Sequence, residues 1–281
     1  MVSPGSKRKV VAHLMSQGVS RKRACRLCGL SRRSSRTSPS LDRRQGLREK
    51  VLALAEQHPR YGFRQVHSLL CKAGDKVNLK AVRRIWREEG LALRYRKRRK
   101  LKVAKVVGLV AERPGEIWSM DFATDRLENG RKARILGVLD TCTRENLCLK
   151  ARPSFPAHKL VEELRWLFRI HGKPVVFRSD NGPEFRSKNI AKFFAEQDVL
   201  HEFIVPGSPW QNGHIESFFG KLRNEDLDCR LYESGAELQQ ALNEFQEHYN
   251  GVRPHSALKG GSPLDFKNSF STTNQTKEVA A

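Results

Sequence analysis

Three acidic residues stand in segments that otherwise read as core. Asp121 lies in Ile117-Trp118-Ser119-Met120-Asp121-Phe122, Asp180 in Arg178-Ser179-Asp180-Asn181-Gly182-Pro183-Glu184-Phe185, and Glu216 in Gly213-His214-Ile215-Glu216-Ser217-Phe218-Phe219. Between Asp180 and Glu216 there are 35 residues. A carboxylate flanked by apolar residues is costly to bury unpaired, so three such segments converging on one pocket are explained most simply by divalent cations. Two unit charges about 4 Å apart repel by on the order of 4 kcal/mol at an effective dielectric near 20. Two Mg²⁺ ions roughly 3.5 to 4 Å apart would remove that cost, activate an attacking oxygen and stabilise the leaving one in an in-line displacement. The chemistry that fits is metal-assisted phosphodiester cleavage. Asp180 is the natural bridging candidate, although no carboxylate is assigned to either ion. Singly, an Asp on a strand caps a turn and a Glu on a helix faces water; it is the three contexts together that point to catalysis.

The elements that must position these residues follow from periodicity. Alternation along a strand from Ile117 puts Trp118, Met120 and Phe122 on one face and Ser119, Asp121 and Ala123 on the other. Asp180 follows the apolar run Val175-Val176-Phe177, and so sits at a strand end, where ligands of α/β sheets usually bind. Glu216 lies one turn into a helix that starts after the loop Pro206 to Gly213. Strands are expected at Ile117 to Thr124, Arg134 to Cys142 and Leu147 to Ala151, joined by turns at Glu128-Asn129-Gly130 and Thr143 to Asn146, which favours an antiparallel meander. A helix from Ala157 to Ile170, a strand from Pro174 to Ser179, a helix from Ser187 to Gln197 and a strand from Leu200 to Val205 should follow, and a helix from Gly235 to Tyr249 should close the domain. The fold class is α/β, a mixed sheet flanked by helices.

Ahead of this region the composition changes. Residues 1–113 carry 31 Lys/Arg against 7 Asp/Glu, whereas residues 114–281 carry 22 against 23, so the net charge of +23 lies wholly in the first part. Solvated helix faces intersperse acids among their bases, so this excess points instead to a polyanion, and nucleic acid is the expected one. Helical spacing of Val10, Val11 and Leu14, then of Ala24, Leu27 and Cys28, gives a helix-turn-helix pattern within residues 1–40, in which Cys25 and Cys28 pack beside the turn. A second helical trio occupies residues 41–93: Leu47 to Gln57, Phe63 to Ala73 and Leu79 to Gly90, the last capped by Asn78. Its third helix has Val82, Ile85 and Trp86 as an apolar stripe, with Arg83, Arg84 and Arg87 among the bases around it, as expected of a helix available to a DNA groove. Residues 94–113 form a basic linker, in which Arg96, Arg98, Arg99 and Lys100 should lie along phosphates. Residues 114–268 form the catalytic core and residues 269–281 a polar, disordered tail. No export signal or membrane-length apolar run is present, which makes a cytoplasmic location the default and a disulfide framework unexpected for the six cysteines.

Taken together, W-x-x-D at Trp118 to Asp121, S-D-N-G-P-E-F at Ser179 to Phe185, P-x-x-N-G-x-x-E at Pro209 to Glu216, the basic Arg223 seven positions on, and Tyr249-Asn250 through Arg253-Pro254-His255 resemble the DDE transposases of bacterial insertion sequences. The likeness is to the second-reading-frame product of their retroviral-integrase-like group. That resemblance implies a ribonuclease H-like core using Mg²⁺ or Mn²⁺, two ions per site, cleavage of DNA by water, and strand transfer by the released 3′-hydroxyl into target DNA. It assigns Asp121, Asp180 and Glu216 to the metal-binding triad and Arg223 to a DNA contact near the scissile phosphate. It also implies double-stranded DNA as partner at element ends and target, a homo-oligomer on that DNA, and a protein from an upstream reading frame. Family members commonly work fused to such a product with a leucine zipper, and no sustained heptad is visible here. Two other readings stay open: a DNA-binding regulator that keeps the core for assembly, and a ribonuclease H-type nuclease without strand transfer.

Overall fold

The computed structural model describes residues 4–36, 45–92, 110–205 and 208–278. Arg96, Arg98, Arg99 and Lys100, with most of the basic linker, lie outside the described residues.

The first helices are α1 (Pro4–Ser16), α2 (Arg21–Leu27) and α3 (Arg32–Arg36), which meet around Val11, Ala24 and Cys25 with Leu14, Cys28 and Leu30 beside them. Cys25 and Cys28 are therefore packing residues, and all six cysteines are free thiols. The second trio is α4 (Gln45–Gln57), α5 (Phe63–Lys72) and α6 (Leu79–Glu88). Val51, Val66, Leu70, Val82, Ile85 and Trp86 close its own small core. Asn78 caps α6 by accepting from Lys80 N at 2.8 Å, as its residue type favours.

The remaining chain builds one five-stranded sheet from β1 (Ile117–Arg126), β2 (Lys132–Asp140), β3 (Asn146–Arg152), β4 (Val176–Ser179) and β5 (Leu200–Phe203), in the order β3-β2-β1-β4-β5. The first three strands pair antiparallel and β4 and β5 add parallel to β1. The β1–β2 reversal needs Gly130 at φ +78°, and the β2–β3 reversal is held by Asp140 Oδ1 accepting from Cys142 and Thr143 N–H at 2.8 and 2.9 Å.

Two apolar layers sandwich the sheet. On one face Trp118, Met120, Leu136, Val138 and Phe177 meet α7 (Ala157–His171) and α8 (Lys188–Glu196). On the other, Ile135, Leu139 and Leu149 meet α9 (Gly213–Leu222) and α10 (Gly235–Gly251). The α4–α6 unit docks on this second layer, where Tyr61 Oη lies 2.6 Å from His248 Nε2 and Lys72 Nζ donates to the Gly251 carbonyl at 2.9 Å.

Past Asn268, where a polar tail is expected, α11 runs from Pro263 to Glu278. Pro263 supplies the pre-set φ of a first helical position, Ser262 Oγ accepts from Asp265 N at 3.3 Å, and no Gly or Pro interrupts the residues that follow. No described helix is long and apolar enough to cross a membrane.

Candidate active site

Asp121 sits midway along β1 on the side of Ala123, facing the α9 layer. Its partner across the strand pair is Gly137. A Cβ at Gly137 would lie 2.6 Å from Phe219 Cζ, so the missing side chain is what admits that ring over the strands. Phe219 is one turn beyond Glu216 on α9, and its close seating brings the first turn of α9 down beside Asp121.

Two further bonds stitch the three acidic segments together. Asn212, buried just before α9, donates from Nδ2 to the Met120 carbonyl at 3.3 Å, which ties the helix start to the residue preceding Asp121. Arg178, buried on β4 two residues before Asp180, donates to the Gln211 carbonyl at 3.3 Å and to Glu202 Oε2 at 2.8 Å. The loop after Asp180 is fixed in its turn. Asn181 Nδ2 donates to the Ile204 carbonyl at 2.7 Å, Glu184 pairs with Arg134, and Phe185 stacks on Phe122 with centroids 5.2 Å apart. Arg134 lies over the Phe122 ring at 4.1 Å, so the ion pair and the ring stack brace each other.

The electrostatics record the convergence. The Asp121 carboxyl is pushed up to about 6, first by burial and then by the charges of Asp180 and Glu216, against the Phe122 N–H and Arg134. Glu216 is raised as well, by desolvation. Asp121 Oδ1 accepts from Phe122 N at 2.7 Å and Asp180 Oδ1 from Gly182 N at 3.0 Å, so each carboxylate spends an oxygen on backbone. The three are electrostatic neighbours. Among the described residues, however, no three His, Cys, Asp or Glu side chains are gathered at metal-ligating distance.

Arg223 caps the end of α9, and its Nη2 donates to the Thr124 carbonyl at 3.0 Å, three residues along β1 from Asp121. The helix continues from it as a π turn to Leu227, which the sequence pattern did not indicate. Arg83, Arg84 and Arg87 are exposed on α6 and share one concavity with Lys80 and Glu88.

Comparison with known proteins places this geometry. Families described as integrase core domain match residues 111–209 and 197–263, and an HTH-like domain matches residues 42–99. A protein of insertion element IS476 from Xanthomonas euvesicatoria is 34% identical over 281 residues, covering 99% of this chain and 81% of its own length. Another, from IS407 of Burkholderia multivorans, is 34% identical over 257 residues, covering 88% and 90%. The chain belongs to the integrase-core transposases of insertion elements. The putative transposase InsK of IS150 from Escherichia coli, 28% identical over 226 residues with 76% and 79% coverage, is a further relative. The transposase is thus an enzyme of the polynucleotidyl transferase class, with an HTH-like unit ahead of a ribonuclease H-like mixed sheet.

Reading motifs alone passes over the residues that hold the transposase's candidate site together. Gly137 had a signal, since a lone glycine inside a strand marks close approach of another group. Asn212 and Arg178 belong to quoted motifs, but their partners are 92 and 33 residues away.

Proposed function

We propose that this transposase cuts element-end DNA and joins the released 3′-hydroxyl to target DNA at a site made by Asp121, Asp180 and Glu216. The observation that carries this reading is the pair of bonds, Asn212 to the Met120 carbonyl and Arg178 to the Gln211 carbonyl, that hold the three acidic segments against one another. A carboxylate-only donor set fits Mg²⁺ or Mn²⁺, and the Asp121 carboxyl, raised first by burial and then by the charges of Asp180 and Glu216, supports that reading. Asp121, Asp180 and Glu216 would hold divalent ions, which would supply Lewis-acid activation of the attacking oxygen and stabilisation of the leaving one. Asp180, at its strand end, would be one of their ligands.

The chain's own groups do the rest. Arg223, anchored on β1 beside the acids, is placed to meet the phosphate next to the scissile bond. Arg83, Arg84 and Arg87 hold duplex DNA through α6, and Arg96, Arg98, Arg99 and Lys100 follow its backbone. Residues 1–40 form a second DNA-contacting region. The working form is a homo-oligomer on DNA in the cytoplasm, assisted by the product of an upstream reading frame.

The test is cleavage of a labelled element-end duplex with Mg²⁺, with Mn²⁺ and with EDTA, by wild type and Glu216→Gln. Cleavage should need the metal, and Glu216→Gln should lose it by about a thousandfold while DNA affinity holds within a factor of about two. Equal cleavage by the two proteins overturns the assignment.

A further inference from the structure

Beside the acidic site lies a cavity of opposite charge. It occupies about 540 Å³ at the seam between the α4–α6 unit and the sheet domain. His214, Ser217 and Lys221, a stripe on a different flank of α9 from Glu216, form one wall, and Arg144, Arg253 and His255 form another. The first turn of α5, Gly62 to Gln65, closes it from the helical unit and contributes Arg64. No acidic residue lines it.

The cations are unevenly satisfied. Arg253 is neutralised by Glu225, with Nε–Oε2 at 2.8 Å and Nη2–Oε1 at 2.5 Å, and lies between the rings of Tyr61 and Tyr249 at 5.7 and 5.9 Å. Arg144 is different. It stands at φ +64° in the β2–β3 turn, a conformation costly for a side chain of this size, and its buried Nη1 has no hydrogen-bond partner among the described residues. Among the described residues Lys221 Nζ donates to Ser217 alone, to its Oγ at 2.9 Å and its carbonyl at 3.3 Å, and His255 Nε2 is buried without a partner. Burial together with Arg253 and Arg144 lowers Lys221 to about 8, against the pull of Glu225. The Arg144 guanidinium and Lys221 ammonium make no ion pair among the described residues, and only the longer-range charges of Asp140 and Glu225 offset them in this half-enclosed cavity.

We infer that this cavity is a phosphate site, in which Arg144, Lys221 and Arg64 clamp a backbone phosphate of the bound DNA beside the strand presented to Glu216. The inference rests on the proposed function for the nature of the ligand. DNA is favoured over a free anion because the cavity shares α9 with the acidic site and spans the HTH-like unit and the core, the two parts a single duplex must bridge. A phosphate held there would fix the angle between them as well as the register of the strand.

The experiment compares the full chain with Arg144→Gln, Lys221→Met and Arg144→Lys. Affinity for element-end duplex is read by fluorescence anisotropy across a salt series without divalent metal, and thermal stability is read with and without DNA. Arg144→Gln and Lys221→Met should each weaken binding about tenfold and flatten the log–log salt slope by about one, with Arg144→Lys recovering part of the loss. Without DNA, Arg144→Gln should melt no lower than wild type, because an unsatisfied charge has been removed. A lower melting temperature with unchanged DNA affinity would make Arg144 a structural residue and overturn the inference. So would stabilisation by inorganic phosphate that Lys221→Met abolishes while DNA affinity stays intact, which would assign the cavity to a free anion. Because neither readout requires cleavage, failure of the acidic site leaves these results interpretable, and Glu216→Gln should bind DNA as wild type does.

Discussion

The α4–α6 unit and the acidic face of the sheet handle charge in opposite ways. On α6, Arg83, Arg84 and Arg87 stand exposed around an apolar stripe of Val82, Ile85 and Trp86 that is buried inside the unit. Water solvates these cations at no cost to the fold. On the sheet, Asp121 is half-buried and raised first by that burial and then by two like charges, which Arg134 offsets only in part while it pairs with Glu184; Arg178 and Asn212 are committed to the Gln211 and Met120 carbonyls. A recognition surface can therefore wait for its ligand unstrained, whereas the acidic site is destabilised until a ligand arrives. Perturbation of the first should change affinity and little else. Perturbation of the second should separate stability from activity.

The largest effect that would sharpen this contrast is the loss of cleavage in Glu216→Gln, about three orders of magnitude with binding intact. If binding fell in parallel, the division between holding and cutting would be wrong. The next is thermodynamic. Asp121 has a folded-state value of about 6 against an ordinary 3.8, so below about pH 3 the carboxyl is neutral folded or unfolded and carries no penalty. As pH rises from about 3 to 6 the unfolded chain ionises first, and the native state loses stability by up to about 3 kcal/mol. Asp121→Asn should therefore be more stable than wild type in urea melts at pH 8 in EDTA, with the difference vanishing by about pH 3. An equal difference at both pH values would show that the carboxylate is not strained.

Gly137→Ala tests the route by which α9 reaches the sheet. The added methyl would sit 2.6 Å from Phe219, and moving that ring should cost about 2 kcal/mol, read as a lower urea midpoint. Cleavage should fall further than DNA affinity, since the displaced helix is the one that carries Glu216. Proportional loss of both would place Phe219 in general packing.

Much of this architecture was legible in the chain because apolar periodicity reports burial directly. The β1 alternation that separates Met120 and Phe122 from Asp121 is the same one that divides the two apolar layers, and β1 to β3 form the meander that their short turns favoured. The α6 stripe and the Asn78 cap likewise depend on residues within a turn or two of each other. What was not legible depends on distant partners. Nothing near Asn212 says that it will bond the Met120 carbonyl, and nothing near Arg144 says that it will be left unpaired at the wall of a cavity. Across residues 269–278, Ser, Thr and Asn are weak helix formers, and the local pattern does not reveal that a helix begun at Pro263 runs on to Glu278.

The smallest expected effect bears on the α6 surface. Arg84 is exposed, makes no ion pair among the described residues, and lines the concavity shared with Lys80, Arg83 and Arg87. Arg84→Ala should leave the melting temperature within about a degree, since a solvated side chain outside the core contributes little to folding. If Arg84 meets a phosphate, affinity should drop about fivefold on every duplex and the salt slope should fall by about one, with cleavage at saturating DNA preserved. If it instead reads a base edge, the loss should be confined to the element-end sequence and the salt slope should hold. The two outcomes decide whether α6 only holds DNA or also selects it, and either keeps recognition apart from the strained acids of the sheet. A fall in saturated cleavage without a fall in affinity would join the two regions and break the contrast.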